Sequence, residues 1–285
     1  MRLASSGGRG VVLPGGAEGP LHGWDVETLS QGRIGPDPMA MYAAVDELRE
    51  LVAAADPATA TPVVVEELDA PVPRPSSVVA IGLNYAEHAL ESGFEPPEDL
   101  PPVFTKWPSS ITGAHGEVVL PDGSVDWEVE VVAVLGRALH RADERAAVAA
   151  LAGITVGQDL SERDRQLRGP APQFGLAKSF PGFSPIGPWV VTLDDAPPLE
   201  DLALGCAVDG EVVQDGTTAR LLYPIGRAIA ELSQVLRFSP GDLVFTGTPD
   251  GVGMALDPPR FLRPGQTLTT WVAGVGRMEH RLVTG

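Results

Sequence analysis

The chain has 285 residues, of which 44% are hydrophobic and 20% charged, a balance typical of a folded globular protein rather than a disordered one. Its formal net charge of −18 argues against nucleic acid or an anionic membrane as a partner, and its single cysteine excludes an intrachain disulfide and a cysteine-based zinc site. We find no apolar run long enough for a signal peptide or a membrane helix, so the sequence predicts a soluble, cytoplasmic protein.

The first 74 residues predict a small domain of their own. Residues 10–13 form a short apolar run in a glycine-rich stretch, which indicates a strand-and-turn unit. Residues 38–55 have apolar side chains at helical spacing, with Asp37 as the N-cap. The proline-rich stretch 71–75 favours an extended, stiff linker, and we place the domain boundary there, giving domains of residues 1–74 and 75–285.

Beyond the linker, short β-strands dominate the pattern. Strands are predicted at 78–82, 118–120, 127–135, 154–156, 188–192, 204–208, 211–213, 242–246 and 267–273, and helices at 86–91, 142–152 and 225–236. Strands and helices do not alternate regularly, which excludes a doubly wound parallel sheet. The sum predicts a β-rich α+β fold.

Only two of the 20 basic residues are lysines, Lys106 and Lys178. A lysine is a compact point charge with rotatable donors and a variable pKa, none of which arginine can supply. Either the two positions need lysine chemistry, or codon bias left two lysines by chance.

An acidic strand suggests a metal site. Asp126, Glu128 and Glu130 alternate along the start of an apolar run, so they share one face of a strand that leads into the interior. Buried carboxylates without partners are very costly, and oxygen ligands favour a hard divalent cation. The alternative is a solvated edge strand. Asp159, at the end of the next apolar segment, offers a further carboxylate and favours the metal.

A short helix carries a candidate proton-transfer pair. His88 and Glu91 are three residues apart and therefore lie on one helical face. A carboxylate beside an imidazole orients the ring and raises its basicity, as a general base requires. The alternative is an ordinary surface pair of the same two residue types.

Several motifs in one order resemble the fumarylacetoacetate hydrolase family over residues 75–285, and the N-terminal segment resembles the small domain that precedes the catalytic one in many bacterial members. The matching stretches are Ile81-Gly-Leu-Asn-Tyr-Ala-Glu-His88-Ala-Leu-Glu91, Pro102-Val-Phe-Thr-Lys106, Asp126-Trp-Glu128-Val-Glu130, Gly157-Gln-Asp159-Leu-Ser-Glu-Arg163-Asp-Arg-Gln166, Ala177-Lys178-Ser-Phe, Pro185-Ile-Gly-Pro-Trp189 and Phe245-Thr-Gly247-Thr248-Pro. The resemblance implies a mixed β-sandwich roll, usually a homodimer.

The resemblance also implies roles for individual residues. Glu128, Glu130 and Asp159 would hold a divalent metal, typically Mg²⁺, with Mn²⁺ and Ca²⁺ as alternatives. His88 and Glu91 would activate water or move a proton, and Lys178 would face the reacting carbonyl. The substrate-binding residues would be Lys106, Gln166, Gly247 and Thr248.

The implied function is a metal-dependent hydrolase that cleaves a carbon–carbon bond in a small 2,4-dioxo acid of the acylpyruvate type. One alternative is an isomerase or decarboxylase of related 2-oxo acids, because the same groups serve those reactions. Another is a non-catalytic calcium-binding protein. The chain departs from the family pattern at Ala86, Gln158 and Pro181-Gly182, near the expected pocket, and these departures bear on the identity of the substrate.

Overall fold

The computed structural model describes residues 1–16 and 20–285, so residues 17–19 of the predicted N-terminal strand-and-turn unit lie outside the described residues. The strands are β1 (Arg2–Ser6), β2 (Arg9–Leu13), β3 (His22–Asp25), β4 (Thr61–Pro62), β5 (Leu68–Asp69), β6 (Val78–Ile81), β7 (Val103–Thr105), β8 (Ile111–Thr112), β9 (His115–Leu120), β10 (Val125–Asp126), β11 (Val129–Leu135), β12 (Leu151–Gln158), β13 (Ser161–Glu162), β14 (Ser184–Thr192), β15 (Ala203–Val208), β16 (Glu211–Thr217), β17 (Leu243–Phe245), β18 (Thr267–Val272) and β19 (Gly276–Thr284). The α-helices are α1 (Val26–Leu29), α2 (Val45–Ala54), α3 (Ala86–Glu91), α4 (Glu144–Ala149), α5 (Arg163–Gln166), α6 (Phe174–Ala177) and α7 (Ile225–Ser233).

Two sheets form the body of the molecule. The larger has twelve strands, with the path β4-β3-β2-β1-β14-β12-β11-β17-β6-β7, β5 beside β1 and β8 beside β14. The smaller has the order β16-β15-β18-β19-β9, and β10 pairs with β13 apart from both. Parallel pairs (β6 with β17, β8 with β14, β9 with β19) occur among antiparallel ones. The predicted mixed, β-rich α+β fold is confirmed.

The central strand β11 is buried on both faces. Val129, Val131 and Ala133 pack in the core that includes residues of the smaller sheet, while Val132 and Val134 face a second core on the opposite side. Because side chains alternate along a strand, the even-numbered residues share one face. Glu130 therefore projects from the same face as Val132, at the end of the strand where the apolar run begins.

The N-terminal segment extends the larger sheet. Strand β1 pairs antiparallel with β14, and the second core joins Met41, Tyr42 and Leu48 of this segment to the face of β11 just described. Tyr42 Oη donates a hydrogen bond of 2.7 Å to the carbonyl of Pro71 in the predicted linker. The segment thus covers the large sheet on the side away from the smaller one.

The predicted elements differ from the observed ones mainly at their ends. The helix predicted over 38–55 divides into a 3₁₀ helix, Pro38–Ala43, and α2, with Ala44 between them. The helix predicted over 142–152 is shorter, because Asp143 caps its start and Leu151 already belongs to β12. Strands β1, β3 and β19 had no clear sequence signal. Within the described ranges, every helix is too short or too polar to cross a membrane.

Buried His280 on β19 should make the fold sensitive to acid. Burial lowers the pKa of His280 to about 4, and its Nε2 lies 2.9 Å from the carbonyl of Gly113. Because the unfolded chain binds the proton more readily, stability should fall as the pH drops from about 6.5 to 4. Between neutral pH and about pH 5, the free energy of unfolding measured in urea should fall by about 2 kcal/mol more for the parent than for His280→Gln. The exposed control His22→Gln should behave like the parent; identical pH profiles for the parent and His280→Gln would contradict the expectation.

Candidate active site

One pocket gathers most of the predicted site residues. Its open space measures about 490 Å³, and its floor is formed by buried charged groups of β11, α5 and the segment after α6. The predicted site residues that line it are His88, Glu128, Glu130, Gln166, Lys178 and Thr248. Arg163 lines it as well, and the remaining wall is largely apolar.

Three carboxylates meet at the floor. Glu128 immediately precedes β11, Glu130 is its second residue, and Asp159 follows β12, the antiparallel neighbour of β11. The backbone N–H of Asp159 donates to the carbonyl of Glu128 at 2.9 Å, which sets Asp159 beside Glu128. Each residue offers a carboxylate oxygen, and these oxygens lie within 4.8 Å of one another. The register of the two strands therefore builds a compact set of oxygen donors.

The environment of Glu130 fits a divalent cation. Burial, together with the charges of Asp159 and Glu128, raises the pKa of Glu130 well above its ordinary value. One oxygen accepts the N–H of Gly247 at 2.7 Å, and no ion pair joins Glu130 to a basic side chain in residues 1–16 and 20–285. A hard cation among these oxygens would remove the repulsion that favours protonation.

Lys178 contacts two of the three carboxylates. Its Nζ donates to Glu128 Oε2 at 2.7 Å and to Asp159 Oδ2 at 2.6 Å. Burial alone would lower the pKa of Lys178, but the charges of Asp159 and Glu128 outweigh burial and raise the pKa. Lys178 is therefore a cation in the pocket. An ammonium has three N–H donors, so one remains for a substrate oxygen.

Lys106 lies behind Asp159 and is fully buried. Its Nζ donates to Asp159 Oδ1, to the carbonyl of Lys178 at 2.7 Å and to that of Phe183 at 3.2 Å. Burial lowers the pKa of Lys106, although Asp159 opposes this. Lys106 is not part of the wall of the main pocket, and its three donors are engaged. Its contacts suit the support of Asp159, and substrate binding by Lys106 stays a prediction.

Asp126 does not join the metal-ligand candidates. It belongs to β10, accepts the backbone N–H groups of Gly253 and Met254, and pairs with Arg163 at 2.8 Å. Asp126 lies outside the set of carboxylates whose oxygens come within 4.8 Å of one another, and residues 127 and 128, which belong to neither strand, separate β10 from β11. Arg163 also reaches Glu128 Oε1 at 2.7 Å. Arg163 stands inside one of the motifs that resemble the family, but the sequence analysis assigned it no role.

His88 and Glu91 form a hydrogen-bonded pair at the pocket wall. His88 Nδ1 lies 2.9 Å from Glu91 Oε1, and Glu91 Oε2 accepts the N–H of Gly251 at 2.9 Å. With Nδ1–H donating to the carboxylate, the lone pair stays on Nε2. His88 is buried and lines the pocket, so the surface-pair alternative does not describe it. The pair has the geometry of an oriented general base.

Sequence comparison identifies the family. The sequence profile described as "Fumarylacetoacetate (FAA) hydrolase C-terminal" matches residues 77–283, most of the chain. The chain belongs to the fumarylacetoacetate hydrolase family. Members of this family are enzymes, so the chain is an enzyme, and the non-catalytic calcium-binding alternative is set aside.

Relatives of the chain carry several activities. The human mitochondrial oxaloacetate tautomerase FAHD2A is 41% identical over 216 residues, covering 75% of this chain and 68% of that protein. A Mycobacterium smegmatis protein proposed to be an HpcE is 47% identical, with a TM-score of 0.92 over the full length of both chains. Maleylpyruvate hydrolase from Sphingobium sp. SYK-6, whose structure holds manganese(II) and pyruvate, is 26% identical, with a TM-score of 0.82 over both full chains.

Two buried glutamines, which do not line the pocket themselves, hold backbone and side-chain groups at its wall in place. Gln158 Oε1 accepts the backbone N–H of Glu128 at 2.9 Å. Gln214 accepts from the N–H of Val129 at 2.9 Å and donates to Thr248 Oγ1 at 2.9 Å. Gln158, a departure from the family pattern, thus supports the backbone of Glu128. Gln214 carried no sequence signal, because its contacts depend on strand β16 packing against β11.

Gly247 presents its backbone rather than a side chain to Glu130. Its φ is +102°, and a Cβ added there would lie 2.8 Å from the Cβ of Asn84. We expect Gly247→Ala to lower the free energy of unfolding by about 2–3 kcal/mol and to weaken metal binding, because the N–H donor to Glu130 must shift. Gly265→Ala is the matched control, with a φ of +92° and open space around the added atom. Equal losses in both variants by urea unfolding and calorimetry would contradict a specific role for the Gly247 contact.

Proposed function

We propose that the protein is a metal-dependent hydrolase that cleaves the carbon–carbon bond of a small 2,4-dioxo acid. One observation carries the proposal: the carboxylate triad, the free donor of Lys178 and the His88–Glu91 pair converge on one pocket. Hydrolysis of a 1,3-diketone needs an activated water, a stabilised oxyanion and a held enolate leaving group, and the pocket has a group for each need.

Glu128, Glu130 and Asp159 would hold the metal, proposed as Mg²⁺, with Mn²⁺ and Ca²⁺ as alternatives because all three ions prefer oxygen ligands. When bound, the ion supplies a positive charge for the 2-oxo-carboxylate head and for the enolate oxygen. The manganese and pyruvate in the maleylpyruvate hydrolase structure support both the ion class and the head group.

The side chains of this protein would divide the remaining work. His88 Nε2 accepts a proton from water, which attacks the 4-oxo carbon, while Glu91 keeps the ring oriented. Lys178 donates to the oxyanion that forms on that carbon. The bond between carbons 3 and 4 then breaks, and the proton on His88 moves to carbon 3, giving a carboxylic acid and pyruvate. Gln166 and Thr248, at the pocket wall, would contact the substrate, and Gly247 would contribute its backbone nearby.

The relatives favour a second candidate, an isomerase or tautomerase of related 2-oxo acids, and a decarboxylase is a further alternative because it would use the same groups. A panel of 2,4-dioxo acids and oxaloacetate, assayed with and without Mg²⁺ by loss of enol absorbance, separates the candidates. We expect Mg²⁺-dependent cleavage of the 2,4-dioxo acids; full activity in excess chelator, or turnover of oxaloacetate alone, would contradict the proposal.

The variant His88→Ala distinguishes hydrolysis from decarboxylation. Removing the base should lower hydrolysis by about 10³-fold, because positioned general bases contribute roughly 10²–10⁴. Metal-assisted decarboxylation does not need the base and should survive in part. His140→Ala is the control, since His140 does not line the pocket. Hydrolysis at the parental rate in His88→Ala would contradict the assigned role.

The proposal also covers the domain organisation, the cellular location and the oligomeric state of the protein. We propose that residues 1–74 are a small N-terminal domain that packs on the catalytic segment through the pairing of β1 with β14, supported by their own run of elements β1 to β5 before the proline-rich stretch. We also propose a cytoplasmic homodimer, in keeping with the family resemblance and the high net negative charge. Size-exclusion chromatography with light scattering tests the dimer.

A further inference from the structure

We propose that the pocket selects 2-oxo acids whose far end is apolar over those that end in a second carboxylate. The inference rests on the proposed function, because it assumes that the 2-oxo-carboxylate head lies on the metal. It concerns the part of the substrate beyond the fourth carbon, which the proposed reaction leaves unchanged.

The charges at the floor can neutralise one anionic group. Seven connected side chains form what we term the charge cluster: Asp126, Glu128, Glu130, Asp159, Lys106, Arg163 and Lys178. Four carboxylates and three basic groups give it a formal charge of −1, which a bound divalent cation changes to +1. Glu91 adds a negative charge beside the cluster while His88 is neutral. One carboxylate head therefore uses the whole positive excess of the charge cluster, and Glu91 leaves none beside it.

No basic side chain of the pocket is free for a second carboxylate. Apart from Lys178 and His88, which serve the proposed reaction, the only basic residue on the wall in the described ranges is Arg163. Its Nε donates to Asp126 and its Nη1 to Gln166 Oε1 at 2.8 Å, and its Nη2 lies at ion-pair distance from Asp126 and Glu128 without hydrogen-bond geometry. Turning Arg163 toward a ligand would leave buried Asp126 and Glu128 without this partner, which costs more than a new ion pair gains.

The upper wall of the pocket is apolar. Phe94 and Leu167 are about half exposed and stand at the mouth, whereas the charge cluster is buried. The apolar residues of the wall are Leu83, Phe94, Phe104, Leu167, Phe174 and Met254. An alkyl or aryl group would gain free energy by leaving water here. A carboxylate in the same place would lose its hydration without meeting a free cation, because the polar side chains of the wall, Ser92, Gln166 and Thr248, are neutral.

Two stable 2-oxo acids of equal length test the inference directly. 2-Oxohexanoate ends in a methyl group and 2-oxohexanedioate in a carboxylate, and neither has the 4-oxo group that hydrolysis needs. Isothermal titration in Mg²⁺ should give a dissociation constant at least about tenfold lower for 2-oxohexanoate. The same order should appear in kcat/KM for 2,4-dioxo acids with methyl and carboxylate ends.

A positive charge at the mouth should weaken the preference. Leu167→Arg places a guanidinium on the pocket wall and should reduce the ratio of the two dissociation constants by about fivefold or more. Leu176→Arg is the matched control, because Leu176 is 51% exposed against 50% for Leu167 and does not line this pocket. The control should keep the parental ratio.

The binding results distinguish failure of this inference from failure of the proposed function. Equal or tighter binding of the diacid, or the same change of ratio in both arginine variants, would overturn the inference and leave the proposed function standing. Failure of every 2-oxo acid to bind or react in Mg²⁺ would overturn the proposed function and this inference with it. Tighter binding of the monoacid, lost in Leu167→Arg alone, would support both.

Discussion

Glu130→Gln should abolish turnover and leave the fold intact. The substitution keeps the shape of the side chain, but it removes one of three negative charges that the metal requires. Because burial and neighbouring carboxylates already disfavour the ionised form of Glu130, loss of the charge should relieve repulsion in the metal-free protein. We expect kcat/KM to fall by about 10³-fold, equivalent to roughly 4 kcal/mol of lost transition-state stabilisation.

Calorimetry separates the two consequences of Glu130→Gln. Titration with Mn²⁺ should give a dissociation constant at least about 100-fold higher than that of the parent, while thermal unfolding in chelator should occur at the same or a higher temperature. Glu117→Gln, an exposed substitution on β9, removes the same charge far from the triad and should change neither value. Parental activity and metal affinity in Glu130→Gln would refute the metal assignment.

Lys178→Arg should lower kcat by about 10²–10³-fold, the usual cost of removing one donor to a developing oxyanion. The Nζ of Lys178 lies between Glu128 and Asp159, with the ring of Phe104 5.1 Å away, and a planar guanidinium cannot keep both contacts and still point a donor at the substrate. Steady-state kinetics with circular dichroism as a check on folding measures the effect.

Lys106→Arg is the informative comparison for Lys178→Arg. Lys106 is buried behind Asp159, so its replacement should act through that carboxylate, raising KM and the metal dissociation constant more than it lowers kcat. Lys106→Met serves as a second variant if arginine does not fit the buried site. If both lysine-to-arginine variants match the parent, the rarity of lysine reflects codon bias and neither position needs lysine chemistry.

Spacing within single elements predicted much of the candidate site. His88 and Glu91 are three residues apart on one helix, and Glu128 and Glu130 are two apart at one strand end, so each pair meets by the periodicity of its own element. Asp126, two residues before Glu128, contacts Arg163 as Glu128 does but lies outside the carboxylate triad, and the strand pairing is interrupted between β10 and β11. Strand periodicity predicts neighbours only while the strand continues.

Spacing within one segment could not predict contacts between distant segments. Lys106 and Asp159 are 53 residues apart, and Gln214 is 85 residues from Val129, whose N–H it accepts. These partners depend on which strands pair and in which register, and composition or spacing within one segment does not determine pairing. The arginine that links Asp126 to Glu128 could be recognised only after the chain was folded.

The sequence by itself determined the residue types of the site and the order of its motifs, and through them the family and the β-rich fold class. Tertiary structure alone decided that Lys106 supports Asp159 from behind, and that the lysine and arginine lining the pocket in the described part of the chain are both paired with carboxylates. The physical reason is that local periodicity places a residue on a face, whereas the partner of a buried charge is set by long-range packing.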